Sequence, residues 1–212
     1  MGDDSLFRVV EVESVFVNGP AGKLEARLHA GCSDYLFIIC HPHPHFGGSM
    51  DDRIVLALSN ILNELGTSVI RFNFRGVGRS DGRSAGNKIE VSDAEAIFDW
   101  ASVEYPKHKI VICGYSFGAS ISYNLLRKRP IAGMVLIAPP TSFLEPRPQS
   151  IKDSLLVLAS RDQFVPAEEA VSFFQDIFES IQILEDDHFF MKTLDELLEI
   201  LRDFLKEKLS GI

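Results

Sequence analysis

The sequence predicts an α/β protein, a mostly parallel sheet of eight strands with helices on both faces and an N-terminal antiparallel hairpin. Three observations predict it. Short apolar runs of strand length alternate with helical patterns along most of the chain, the order that builds a parallel sheet. The first two strands instead alternate apolar with polar residues, as a one-faced antiparallel pair does. And 212 residues, 46% of them hydrophobic, suit one domain with a large core.

The elements follow in order. Val10, Val12 and Ser14 alternate with Glu11 and Glu13, and the apolar run continues from Val15 to Val17. After Asn-Gly-Pro-Ala-Gly, Leu24, Ala26 and Leu28 alternate with Lys23, Glu25 and Arg27. That is a hairpin signal with one face buried, around a turn expected to exceed two residues. The texture then changes. Tyr35–Cys40, Ser68–Phe74, Lys109–Cys113, Met134–Ala138, Leu155–Ala159 and Ile181–Leu184 are short and mostly apolar, as central strands covered on both faces are. Between them Ile54, Val55, Leu58, Ile61, Leu62 and Leu65 recur at helical spacing and stop at Gly66, a left-handed cap. Further helical patterns run over 91–101, 116–126, 167–178 and 194–209. The connection 139–153 carries Pro139, Pro140, Pro146 and Pro148, which forbid a long helix there. No repeat or linker divides residues 1–212, so a single domain is expected.

Composition narrows the partners. A formal charge of −9 argues against nucleic acid and anionic membranes, which select clustered Lys and Arg. No apolar stretch has the roughly 18 residues of a membrane helix. The N-terminal MGDDSLF lacks the basic-then-apolar order of a secretory signal, and Leu6 stands where myristoylation wants Ser or Thr. Cys32, Cys40 and Cys113 are odd in number and scattered, which suits free thiols in a reducing cytoplasm.

The strongest local signal is Gly114-Tyr115-Ser116-Phe117-Gly118, placed between the strand KIVIC and the helical run ISYNLL. G-x-S-x-G at a strand-to-helix turn is the context of a nucleophile elbow. The serine sits in a strained conformation, its neighbours must be small, and the helix N-terminus favours developing negative charge. A capping serine in a glycine-rich turn is the plainer alternative. A serine hydroxyl needs a base. His188, in EDDHFF beyond the last apolar strand, is best placed. Asp162, three residues past the run ending at Ala159, supplies an acid to fix the imidazole tautomer and gives the order Ser, Asp, His. Asp186 and Asp187 are too close to His188 in sequence to point at it and read as solvated or capping. All three chosen residues fall at the C-terminal ends of strands, where open α/β sheets place their sites.

The loop CHPHPHFGGSMDD, after the third strand, should help to build the oxyanion hole. Such a hole needs two backbone N–H donors. Phe117, after the nucleophile, is one. Pro42 and Pro44 have no N–H, so His43 between them is the other candidate. His41, His43 and His45 invite a zinc reading, but the intervening prolines restrain convergence, and His41 is expected to make a structural hydrogen bond that shapes the loop. Arg75, Arg79 and Arg83 lie beyond the fourth strand and either meet an anionic group of a substrate or brace loops. Phe46, Phe143 and Phe189 are candidates to line the mouth of the site.

Together HPHPHFGGSMDD, RFNFRGVGRSDG and GYSFG resemble small, cap-less α/β hydrolases related to dienelactone hydrolases and short-chain serine esterases. The resemblance runs from about Tyr35 to the C-terminus. It implies the α/β-hydrolase fold with no cap domain, the Ser116, Asp162 and His188 triad, and the oxyanion roles of His43 and Phe117. Two departures matter: dienelactone hydrolases use a cysteine nucleophile where this chain has Ser116, and the prolyl segment 139–153 stands in place of the insertion that carries a cap in larger relatives. The expectation is hydrolysis of small or medium acyl esters through an acyl-enzyme. Thioester, acyl or peptide cleavage by the same triad is the alternative, and a non-catalytic scaffold on the fold is the other class. Small-molecule esters are the expected partners. No nucleic acid, membrane, cofactor or metal is expected, and homo-oligomerisation is left open.

Overall fold

The computed structural model describes residues 12–86, 88–144 and 150–210. The hairpin strands are β1 (Val12–Gly19) and β2 (Gly22–His29). The remaining strands are β3 (Tyr35–Cys40), β4 (Ser68–Phe72), β5 (Lys109–Tyr115), β6 (Gly133–Ile137), β7 (Ile151–Ala159) and β8 (Phe178–Leu184). They form one eight-stranded sheet in the order β1-β2-β4-β3-β5-β6-β7-β8. β1–β2 and β2–β4 pair antiparallel, and every other pair is parallel.

The period of two along each central strand divides the core between the two faces of the sheet. Leu36, Ile38 and Cys40 of β3 look to one side with α2 (Val91–Glu104), α3 (Phe117–Leu125) and α4 (Ala167–Phe174). Phe37 and Ile39 look to the other with α1 (Arg53–Glu64) and α5 (Leu194–Ser210). Each helix contributes its apolar stripe: Ile54, Leu58, Ile61 and Leu62 of α1 and Leu197, Leu201 and Leu205 of α5 are buried. Gly66 takes φ 74° and closes α1 as expected, with Gly66 N–H donating to Asn63 O at 3.0 Å.

Three expectations are corrected. Gly19 pairs with Gly22, so the hairpin turn is the two residues Pro20 and Ala21. The buried phase of β1 is that of Val15 and Val17, while Val12 is exposed; Val10 and Glu11 lie outside the described residues. β8 is an edge strand rather than a central one, and Ile183 is half exposed. The prolyl connection from β6 to β7 holds one 3-10 turn, Thr141–Phe143, with Pro146 and Pro148 outside the described residues. Among the described residues no helix is long and apolar enough to cross a membrane.

Candidate active site

β5 runs directly into the elbow, and α3 begins one residue after Ser116. Ser116 has φ 53° and ψ −122°, a conformation costing a non-glycine residue roughly 1–3 kcal/mol. Its surroundings impose it. Ser116 N–H donates to Ile137 O at 2.8 Å. A Cβ on Gly118 would lie 2.2 Å from Cys40 O, and one on Gly114 would lie 2.4 Å from Gly118 O. Both glycines are therefore required where the backbones of β3, β5 and α3 meet. The Ser116 side chain makes no capping bond. Its Oγ instead lies 2.8 Å from Nε2 of His188.

His188 sits in the loop between β8 and α5. Its Nδ1 is 2.6 Å from Asp162 Oδ2. An Nδ1–H donated to the carboxylate leaves Nε2 as the acceptor for the serine hydroxyl. The other oxygen of Asp162 accepts Phe164 N–H at 2.8 Å and Val165 N–H at 2.9 Å, which fixes the carboxylate plane. All three residues are buried. Tyr115 Oη donates to His188 O at 3.0 Å. Burial, helped by Asp52, raises the Tyr115 hydroxyl well above its usual range, so it stays a donor.

The two neighbouring carboxylates brace this loop, as the capping alternative expected. Asp186, which is buried rather than solvated, accepts Lys192 N–H at 2.7 Å and Thr193 N–H at 2.8 Å through Oδ2, and Asp187 N–H through Oδ1. Burial raises its carboxyl, but these donors and the Thr193 hydroxyl outweigh it and bring the pKa down to about 2. Asp187 accepts Phe189 N–H at 2.9 Å.

Across from His188, the loop after β3 turns through Pro44–Phe46. His41 is fully buried, with Nδ1 donating to Pro42 O at 2.6 Å and Nε2 accepting Phe74 N–H at 3.1 Å. This is the expected structural hydrogen bond, and it leaves His41 no ring nitrogen for a metal. Burial drives its pKa down to about 4, with His43 adding to the shift. His43 O accepts Phe46 N–H and Gly48 N–H. Its ring lies 4.9 Å from Phe46 and 4.8 Å from Phe117. Met50 N–H is held by Asn73 Oδ1, and Asn73 in turn by buried Glu25. Cys40 and Cys113 are buried free thiols, and burial raises the Cys40 pKa to about 12.

The proposed substrate contact of Arg75 is corrected. Its guanidinium is buried, with Nε and Nη2 bound to the fully buried Asp93 and Nη2 also donating to Ser92 at 2.8 Å. A guanidinium keeps its charge even when desolvated this far and so needs a carboxylate partner; the Arg75–Asp93 pair ties the loop after β4 to α2. Arg79 stacks over Phe16 at 4.8 Å, and Arg83 is exposed. Phe46 is 87% exposed beside His43. Phe143 packs 5.9 Å from Phe117, and Phe189 lies 5.6 Å from His188. Sequence reasoning missed Phe164, exposed and 5.0 Å from the His188 ring; its one signal was a place two residues after Asp162. A separate cleft of 420 Å³ at the opposite end of β5, against His108 and Lys109, includes none of these groups.

The profile of the family described as "Serine aminopeptidase, S33" matches residues 47–192. The chain belongs to that hydrolase family. A protein of Rickettsia prowazekii is 30% identical to this hydrolase over 90% of its chain and 87% of the relative's. Among solved structures, one from Agrobacterium tumefaciens is 36% identical with a TM-score of 0.84, covering 94% of this chain and 97% of the other. Another, from Xanthomonas campestris, is described as an α/β serine hydrolase without lid. It is 26% identical, with a TM-score of 0.84 over 96% of this chain and 97% of that one. The hydrolase is a cap-less member of the α/β-hydrolase fold.

Proposed function

We propose that this hydrolase cleaves small or medium acyl esters through an acyl-enzyme on Ser116. The observation that carries the reading is the continuous chain Ser116 Oγ to His188 Nε2 at 2.8 Å and His188 Nδ1 to Asp162 Oδ2 at 2.6 Å. Ser116 Oγ attacks the ester carbonyl carbon while His188 Nε2 takes its proton, and Asp162 stabilises the imidazolium. The carbonyl oxygen becomes an oxyanion, received by the backbone N–H groups of Phe117 and His43. The carbon–oxygen bond to the alcohol then breaks, and His188 returns its proton to the departing oxygen. Water, deprotonated by the same imidazole, releases the acid and restores Ser116.

A second reading is amide hydrolysis, favoured by the aminopeptidase description of the family. Cleavage next to a free amino terminus asks for a carboxylate that receives its ammonium group. Of the aspartates near this site, Asp162 is taken up by His188 and two backbone N–H groups, while Asp187 and Asp52 each brace one backbone N–H. The ester reading asks for no such receiver. A series of chromogenic acyl esters, thioesters and aminoacyl anilides, run beside Ser116→Ala, tests it. Ester turnover that vanishes in Ser116→Ala is expected; a dominant aminoacyl anilide rate would transfer the assignment to peptides.

A further inference from the structure

We infer that the departing alcohol of the ester rests against Phe164 and Phe189, and that the hydrolase therefore favours esters of aromatic alcohols. This rests on the triad reading above. Among the described residues four phenylalanines are exposed: Phe16, Phe46, Phe164 and Phe189. The last two stand over His188, at 5.0 Å and 5.6 Å, both edge-to-face with its ring and 6.3 Å from each other. With 59% and 47% of their surfaces in water, they carry more apolar area outside than a ring placed only for packing. They are not loose. Phe164 N–H is held by Asp162 and Phe189 N–H by Asp187, while Phe189 O accepts from Arg53. The loops that orient the acid and the base thus also set these two rings.

The reaction geometry divides the exposed rings into two groups. The tetrahedral carbon carries Ser116 Oγ, the oxyanion, the acyl chain and the alcohol oxygen. The oxyanion faces the Phe117 and His43 amides; of the exposed rings, Phe46 stands on that side, 4.9 Å from the His43 ring. The alcohol oxygen must come within hydrogen-bond reach of His188 Nε2 to receive its proton. Groups over His188 therefore meet the alcohol. A ring there finds two edge-or-face partners within the 4.5–7 Å range of aromatic pairs, which adds to simple burial. Phe189 also walls a neighbouring cleft of 330 Å³ together with Asp52, Arg53, Ile54, Tyr115 and Met191; Phe164 and His188 stand outside it.

The test compares kcat/KM for methyl, cyclohexylmethyl and benzyl acetate, each divided by its alkaline hydrolysis rate. The wild type should prefer benzyl over methyl by about tenfold or more, as one buried ring contact implies. Phe164→Ala and Phe189→Ala should each lower the benzyl-to-methyl ratio, and the double variant should bring it near one. Phe164→Leu keeps apolar bulk without a π face, so it should lose benzyl relative to cyclohexylmethyl. Thermal midpoints of all variants show that they fold. A benzyl-to-methyl ratio near one in the wild type, or one that survives the double variant, would overturn the inference while leaving Ser116-dependent ester turnover intact. Turnover that persists in Ser116→Ala would instead overturn the reading beneath it.

Discussion

The two walls of the site are built by opposite means. On the side of the proposed oxyanion hole, the loop after β3 is held by buried polar groups: His41 bridges Pro42 O and Phe74 N–H, and Asn73 links Met50 to Glu25. Arg75 and Asp93 fix the neighbouring segment from beneath. On the His188 side, backbone–carboxylate bonds hold the loops, and the surface offered to solvent is Phe164, Phe189 and Met191. The first wall spends buried polar groups on geometry, because an N–H donor must be aimed. The second leaves two rings in water over His188, where the first has the single ring of Phe46. Positioning and recognition are thereby separated, and substitutions on the two walls should fail differently.

The largest effect belongs to the carboxylate behind His188. Asp162→Asn keeps an oxygen for Phe164 N–H but turns an amide NH2 toward His188 Nδ1, forcing a proton onto Nε2. Turnover should fall on the order of 10³-fold or more with little loss of stability, as for other triads, whereas Asp187→Asn should be mild. Steady-state kinetics of the two purified variants checks this, and a reversed order would move the acid to the His188 loop.

On the polar wall, Arg75→Ala strands the fully buried Asp93 and should destabilise by about 3–5 kcal/mol in urea unfolding. A loss below about 1 kcal/mol, the range of exposed pairs, would mean that the pair is wet. His41 contributes through pH. Its imidazole titrates near 6.5 when unfolded and near 4 when folded. Above pH 6.5 neither state binds the proton; between 6.5 and 4 only the unfolded chain does. Stability is therefore complete above pH 6.5 and falls as pH drops through 4, by about 3 kcal/mol in all. His43, also lowered by burial and by His45, adds in the same direction. The Asp186 contribution is lost lower, as pH falls from 3.8 through about 2. A flat stability profile from pH 6.5 to 4 would contradict a His41 buried in neutral form.

The apolar wall should give the smallest response in stability. Phe164→Ala removes a largely exposed ring, so its unfolding free energy should shift by no more than about 0.5 kcal/mol while its alcohol preference changes. A larger loss would make Phe164 a packing residue and weaken the contrast between the walls.

The same contrast explains what could be read in the chain. The central strands were legible because burial on both faces makes apolar runs, and the elbow because backbone contact demands glycine at 114 and 118. The places of Asp162 and His188 after strands could be read, and the structure brings both to one hydrogen-bonded chain with Ser116; the structural hydrogen bond expected of His41 is there too. Where the signal is one-sided, reading failed. Val12 and Val15 look alike in sequence, and only the register with β2 decides which is buried. Arg75 carries a charge that suits a substrate or an internal partner equally, and its partner Asp93 lies on another element. Phe164 has no pattern to mark it, because an exposed ring on a loop obeys no period.

The account stands on a Ser116 hydroxyl activated by His188, and covalent labelling addresses that directly. The intact protein, treated with a fluorophosphonate and digested for mass spectrometry, should carry one phosphonyl group, on Ser116. The labelling rate should fall on the order of 10³-fold in His188→Ala. An unlabelled Ser116 in folded protein, or labelling that is as fast without His188, would contradict the assignment.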